Sequence, residues 1–509
     1  MKTLSEHNPE HNPVKTRSTT HLPVNQTDSL KTQERTSALG RSLKITRQRW
    51  LAFVGTSIAV LIPSFWHKQI AAGDLGSHLY NAWLAQLVER GQLPGLWIAR
   101  QWNNVLFDFM LSGLGRVFSW RMTERISVSV CVLVFFWGSF VLIAAATERA
   151  PWTLAPLIAM ISYGWTFHVG FFNYYLSLGL AFGALALFWR GTPMERTLAL
   201  ALTPLILLAQ PFGMALLIGG AVYIWLAETM PQRYHILLPI ASSVLLWITH
   251  SYIWRHWPSA RTPTALYFYN GLDQLAVFGR NYRSVMAVVA LFAGFSIAAE
   301  VSSGRSVPEL WQRMRLPLQL FVAAEMAVFL SPNYIHLPQY EAPLFAVTPR
   351  LTSISAILGC CLLSTIWPRK WHFAGYAAIA LAFFVLLYRD TATVNRMEEK
   401  AERLVGSLPP GSVVVSTVWH PPGSRQLVEH IVDRACIERC FSYANYEPAS
   451  RQFRLRASVG NSFVVARLHY DSEEHLRLGD YKVDLPSGPA YQINTCGPSE
   501  NDLCMRSLK

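Results

Sequence analysis

The chain has 509 residues, of which 51% are hydrophobic, 13% aromatic and only 15% charged, whereas soluble domains carry about 25% charged residues. That deficit and a mean hydropathy of +0.23 exclude a disordered protein, a coiled coil and an ordinary cytosolic enzyme, and require long apolar runs that sit in lipid. The net charge of +13 does not argue for nucleic-acid binding, because a polytopic membrane protein collects basic residues at helix ends on one side.

Residues 1–49 carry nine Lys or Arg against four Asp or Glu, and no large apolar residue recurs with a period. Such a segment cannot offset its chain entropy by burial, so a disordered tail is expected. Its end, RSLKITRQRW, forms a basic collar before the first apolar run. The collar argues for a cytoplasmic tail and the pattern is not that of a secretory signal.

Eleven apolar runs are candidate membrane spans: 50–66, 126–147, 152–167, 173–190, 197–210, 212–228, 234–252, 284–301, 316–331, 350–367 and 372–389. The pair around Gln210-Pro211-Phe212-Gly213 is read as two helices, because one helix of that combined length would rise about 48 Å, more than the roughly 30 Å hydrocarbon core. With the tail inside, the short inner loops and Arg190 hold nine basic residues: Arg149, Arg190, Arg196, Arg233, Arg305, Arg313, Arg315, Arg369 and Lys370. The much longer outer loops hold ten, so the density of positive charge favours this orientation, with the C-terminus outside. Cysteines agree with it. Cys131, Cys360 and Cys361 lie in spans, whereas Cys436, Cys440, Cys496 and Cys504 follow the last span. An even number in an exported domain points to two disulfides, with pairing between sequence neighbours favoured over a zinc site.

The first outer loop, 67–125, opens HKQIAAGDLGSHLYNAWLAQLVERGQLPGLWIARQWNN. From Leu75 to Val88 its apolar residues recur at three- and four-residue spacing, which predicts an amphipathic helix lying in the membrane interface and stopped at Gly91. Asp74 stands just before it, placed either to cap the helix or to meet a ligand at the membrane surface. His78 is one turn on, and Arg100 and Asp108 follow a Pro/Gly turn. The stretch from Asn104 to Trp120 is a second amphipathic, interfacial segment.

The order of these parts carries a resemblance. A first span is followed by GDLGSHLYNAWLAQLVERGQLPG, then VLFDFMLSGLGRVFSW, then the Arg-led span TERISVSVCVLVFF. This resembles the membrane-embedded glycosyltransferases of the GT-C class, which include protein O-mannosyltransferases, oligosaccharyltransferases and aminoarabinose transferases. The likeness is of order and pattern over about residues 50–390. It implies an inverting transferase that moves a hexose or pentose from a polyprenyl-phosphate donor, with an acidic residue of the first outer loop as catalytic group. That role carries over onto Asp74 alone. Many family members place a second acidic residue beside the first, where this chain has Leu75, and a divalent metal ion is left open as a cofactor.

The chemistry asks for a base at the acceptor hydroxyl and positive charge for the departing phosphate. Asp74 is the candidate base, and outer-loop arginines can hold a phosphate bidentately. Besides His78, Arg100 and Asp108, the candidate substrate-binding residues are His168 and Asn173 between spans, Arg255, Arg261, Arg280 and Arg283 in the loop 253–283, and His336, Glu341 and Arg350 in or beside the loop 332–349. Glu325 falls inside a span; an intramembrane carboxylate is a functional candidate by default, though its depth favours a packing role.

Residues 390–509 lose the apolar runs and predict a small extracytoplasmic α/β domain, with SVVVSTV, FSYANY, QFRLRA and SFVVARLHY as strands and a helix near 425–435. His420, His430, Asp433 and His475 have no metal or catalytic spacing and are expected at its surface. No phosphate-binding loop, dinucleotide fingerprint or nucleophile elbow occurs. The expectation is a multi-pass protein of a bacterial inner membrane and cell envelope: a tail (1–49), a transmembrane catalytic unit (50–389) and a periplasmic domain (390–509). Its partners would be a lipid-linked sugar donor, a glycan, lipid or protein acceptor and membrane lipids, with no nucleic acid. The competing readings are a non-catalytic membrane scaffold and a lipid or glycan transporter; the latter predicts polar span interiors and repeated halves.

Overall fold

The computed structural model describes residues 50–261, 269–303, 307–418, 428–443, 445, 447–465, 489–496 and 502–508. The expected disordered tail, His420 and His475 lie outside the described residues. Six helical segments are long and apolar enough to cross a membrane. They contain α4 (Trp120–Thr147), α7 (Phe172–Arg190), α10 (Pro211–Thr229), α11 (Leu237–His256), α12 (Asn281–Val301) and α15 (Lys370–Gly406). Two shorter apolar helices, α1 (Trp50–Leu61) and α14 (Val347–Leu363), coincide with two further expected spans.

The remaining three expected spans take other forms. Run 152–167 is a 3₁₀ turn (Trp152–Leu154) followed by α5 (Ala155–Ser162) and α6 (Trp165–Val169). The break falls at Gly164, where a Cβ would lie 2.8 Å from the Gln274 carbonyl oxygen. Run 197–210 is split into α8 (Pro193–Ala201) and α9 (Thr203–Ala209), because Pro204 brings no N–H to continue the first helix. Thr192 starts α8 with a capping box closed by Glu195. Run 316–331 sits in α13 (Val307–Leu330), whose first half is charged and which holds Pro317 in its interior.

The tightest pair in the bundle is α4 with α7. A Cβ at Gly138 would lie 2.1 Å from the Gly179 carbonyl oxygen, so small residues let the two backbones touch. Ser119 caps α4, accepting from the Met122 N–H at 3.4 Å.

The C-terminal region begins without a break, since α15 runs straight through residue 390 to Gly406. Beyond it, β4 (Val413–Thr417) is central in a sheet of order β5-β4-β7-β8, with β5 at Phe441–Ser442, β7 at Ala490–Thr495 and β8 at Leu503–Ser507. β4 is parallel to β5 and β7, and β8 closes the sheet antiparallel. Disulfides join Cys436 to Cys440 and Cys496 to Cys504, the neighbour pairing expected, and fit an oxidising compartment. Helix α16 (Ile431–Cys436) overlaps the second half of the helix expected near 425–435. Strands β2 (Ser259–Ala260) and β3 (Tyr334–Ile335) form a separate short antiparallel pair. QFRLRA yields β6 (Leu455–Ala457), but β6 leaves the main sheet and pairs antiparallel with β1 (Leu96–Ile98) of the first loop.

That pairing announces the main departure from expectation. Helix α2 (Leu75–Glu89) forms where predicted, yet most of its residues are buried by protein. Leu75, Leu79 and Ala82 join the bundle core, whereas Tyr80, Trp83 and Leu84 pack with Val432, Cys436 and Cys440 of the C-terminal domain. A Cβ at Gly76 would lie 2.2 Å from the His430 carbonyl oxygen. The amphipathic pattern is real, but α2 has two protein partners and is no interfacial helix. Helix α3 (Leu106–Leu114), in the second amphipathic stretch, keeps an exposed apolar residue in Phe109.

Candidate active site

A cavity of about 710 Å³ opens where the bundle end, the first loop and the C-terminal domain meet. Its charged side is formed by Asp74, His78, Glu429 and Glu447, and its apolar side by residues such as Val169, Phe171, Phe212 and Phe345; Arg350 also lines it. A site for a small amphipathic ligand has this composition: mostly apolar walls with a few convergent polar groups.

The backbone at Asp74 is fixed on both sides. Gly73 donates to the His168 carbonyl at 2.8 Å and Asp74 to that of Val169 at 2.9 Å. Gly170 turns the chain with φ +98°, and a Cβ there would come within 2.5 Å of the Asp74 nitrogen. His168 is buried beneath this loop, with Nδ1 2.7 Å from the Ala71 carbonyl oxygen. Asp74 occupies the N-cap position of α2 in helical geometry, and its side chain makes no capping hydrogen bond. The cap reading is therefore set aside, and the half-buried carboxylate borders the cavity.

His78 lies one turn along α2. Its Nδ1 is 3.2 Å from Oδ1 of Asp108, and its ring meets Phe107 and Phe453 edge-on. Burial pulls the imidazole pKa down, but the Asp108 hydrogen bond and charge, with the charges of Glu447 and Asp74, outweigh it and raise it to about 9. His78 is thus a cation at neutral pH. Asp108 is held on α3 by Asn173: the Phe107 N–H donates to Asn173 Oδ1 at 2.8 Å, and Asn173 Nδ2 donates to the Asn104 carbonyl at 3.2 Å. Arg350, at the start of α14, has its guanidinium 3.8 Å above the Phe171 ring.

The C-terminal domain supplies a second carboxylate. Glu447 accepts hydrogen bonds from Ser77 and Asn81, both on α2, and Asn445 Nδ2 donates to Asn81 Oδ1 at 2.7 Å. Burial raises its pKa, the positive charges of His78 and His430 lower it, and the balance stands at about 7. Behind it, His430 Nδ1 lies 2.6 Å from Asp433, and Asp433 accepts from the Ser442 hydroxyl. The Ser442 N–H donates to Tyr80 Oη at 2.8 Å. Burial lowers the His430 pKa, but Asp433 first, then Asp74 and Glu447, raise it to about 10.

Of the residues singled out from sequence, the cavity brings together Asp74, His78, Asn173 and Arg350. Asp108 joins through His78, and His168 supports the Asp74 loop. The others are elsewhere. Arg100, Arg255, Arg261, Arg280 and Arg283 are exposed and absent from the lining; Arg261 stacks on Trp254 and Phe329. Glu341 pairs with Arg451 at 3.1 Å on the surface, and the His336 N–H donates to the Pro258 carbonyl at 2.9 Å. His430 and Asp433 are fully buried, contrary to the surface expected: their i,i+3 spacing joins them across the first turn of a short helix, with His430 at its N-cap, and α2 covers both. Glu447 has no local signal. It stands 370 residues from Ser77, and only docking of the C-terminal domain brings the two together.

Among the described residues, no group of three or more His, Cys, Asp or Glu is placed to hold a metal ion. No family model, no curated protein and no solved structure matches this chain.

Proposed function

We propose that the protein is a multi-pass membrane glycosyltransferase acting on the extracytoplasmic face of a bacterial inner membrane. In this reading all eleven apolar runs lie in the bilayer, including the broken ones, with the N-terminus cytoplasmic and the C-terminal domain periplasmic. The donor is a sugar on a polyprenyl phosphate, and the acceptor is a glycan, lipid or protein hydroxyl. The observation that carries the reading is the seam cavity: Asp74, the cationic His78 and Arg350 border one space that also holds Glu429 and Glu447 and has an apolar wall of Val169, Phe171, Phe212 and Phe345.

The roles follow from charge. The Asp74 carboxylate takes the proton of the acceptor hydroxyl as the oxygen forms its bond to the anomeric carbon. The bond from that carbon to the phosphate oxygen breaks in the same displacement, with inversion, and its electron pair leaves with the lipid phosphate. Arg350 and His78 offset the charge developing there. The apolar wall suits the first isoprene units, and holding both reactants at one seam supplies orientation.

The test is transfer of radiolabel from a panel of polyprenyl-phosphate sugars in reconstituted membranes, with Asp74→Asn beside wild type. The expected result is transfer by wild type that falls about 10²–10⁴-fold in the folded variant, the usual contribution of a general base. Equal transfer by both proteins would remove Asp74 from the mechanism. No transfer from any donor by intact protein would favour the scaffold or transporter.

A further inference from the structure

A second cavity, of about 610 Å³, lies at the opposite end of the same helices. Helix α7 carries Asn173 and Tyr174 into the first cavity and Trp189 and Arg190 into the second. Its 19 residues rise about 28 Å, close to the roughly 30 Å hydrocarbon core of a bilayer. The second cavity therefore sits at the depth of the phosphates of the other leaflet.

Its lining holds Arg149, Arg190, Arg313 and Arg315 against Glu148 and Glu309, four positive charges against two negative, a net of +2. Glu148 is engaged with Arg190 at 3.0 Å. Arg149 is held with its guanidinium 4.9 Å over the Trp367 ring. Among the described residues, Arg313 and Arg315 have no ion-pair partner, although Glu309 stands one turn before Arg313. Trp189, Leu316, Pro317 and Trp367 add apolar surface beside the guanidinium groups. Arginines gathered between helix ends at phosphate depth, next to apolar surface, match an anionic headgroup with its acyl chains alongside.

We propose that this cavity binds the headgroup phosphate of an anionic glycerophospholipid of the cytoplasmic leaflet, with Arg313 and Arg315 as its principal contacts. The inference rests on the membrane placement of the helices and not on the transferase reading. A soluble phosphate would use the arginines but not the apolar wall, so the lipid is the favoured occupant.

The test incorporates the full-length protein into phosphatidylcholine nanodiscs doped with phosphatidylglycerol. Native mass spectrometry then counts the lipid retained by wild type, by an Arg313→Gln/Arg315→Gln variant and by an Arg255→Gln/Arg283→Gln variant altered at exposed arginines elsewhere. Wild type is expected to retain phosphatidylglycerol at least ten-fold over phosphatidylcholine. The first variant should lose about ten-fold of that preference and the second should keep it. Four results would each overturn the proposal: no preference in wild type, full retention by the first variant, equal loss in both variants, or complete displacement by excess inorganic phosphate. The last would identify a site for a free anion. Should the double variant not fold, Arg313→Gln alone, at an exposed position, carries the same comparison.

Discussion

Helix α7 and helix α11 have almost the same length and similar apolar composition, and the structure uses them in opposite ways. Of the most apolar window of α7, 83% is buried by protein; for the segment Gln232–His256 containing α11, the share is 6%. The ends of α7 line the two cavities described above, and no residue of α11 lines either of them. Hydropathy therefore locates a span but not its neighbours. Polar residues become a site where protein surrounds the helix ends that carry them. Arg255, in the last turn of α11, and Arg280 and Arg283, on the solvent-facing side of the start of α12, remain exposed. Arg350 begins a helix packed against the bundle and enters the cavity.

The largest expected effect is near the N-terminal end of α4, where Glu124 is buried. Arg434 of α16 is bonded to Glu398 of α15 at 3.0 Å, lies 3.7 Å from Glu124 of α4 and donates to the Ile70 carbonyl at 3.1 Å. One guanidinium thus joins two bundle helices, the first loop and the C-terminal domain. Arg434→Met leaves two buried carboxylates without their cation and should lower stability by about 3–5 kcal/mol. Thermal unfolding in detergent measures it, and limited proteolysis should report early release of the C-terminal domain. A fall below about 1 kcal/mol would mean that apolar packing alone holds the domain in place.

A smaller effect compares buried and open helices directly. Gly138→Ala places a methyl group on the α7 backbone and should cost about 1–3 kcal/mol as overpacking. Gly294→Ala on α12 meets nothing within 4 Å and should be neutral or stabilising by up to about 1 kcal/mol, since alanine favours the helix. Equal effects of the two substitutions, read as shifts in unfolding temperature, would break the contrast between the helices.

The same contrast explains how much could be read beforehand. The six long helices, the split at Gln210-Pro211, helix α2 and strand β4 all follow from patterns within a few residues. The breaks at Gly164 and Pro204 were equally local, but an apolar run masked them. Asp74 and His78 were visible because they lie together on one amphipathic segment. Glu447, His430 and the Arg434 cluster were not, because each gains its meaning from a contact with a residue hundreds of positions away. The apolar face of α2 was legible, but its partner was not: a protein surface and a lipid surface ask for the same residues.

The least of the expected effects concerns how the seam responds to pH. Around α2 it gathers His78, His430 and Glu447 with the carboxylates of Asp74, Asp108 and Asp433. The His78 pKa is raised to about 9 and that of His430 to about 10, so folding favours their charged forms. Their contribution is complete below the ordinary histidine value of about 6.5 and disappears as pH rises through 9 to 10. Glu447, raised to about 7, is favoured in its neutral form. Its contribution is complete below the ordinary carboxylate range and is lost as pH climbs toward and past 7. All three act in one direction, so the seam should weaken steadily from mildly acidic to alkaline pH. Substituting His78→Gln should flatten the fall between pH 6.5 and 9, and Glu447→Gln should flatten it below pH 7. Gly294→Ala, remote from the seam, should leave the profile of wild type in place. A wild-type stability that rises between pH 6.5 and 9 would mean that the two imidazoles are neutral in the fold, and would remove the cation that the Asp74 cavity draws from His78.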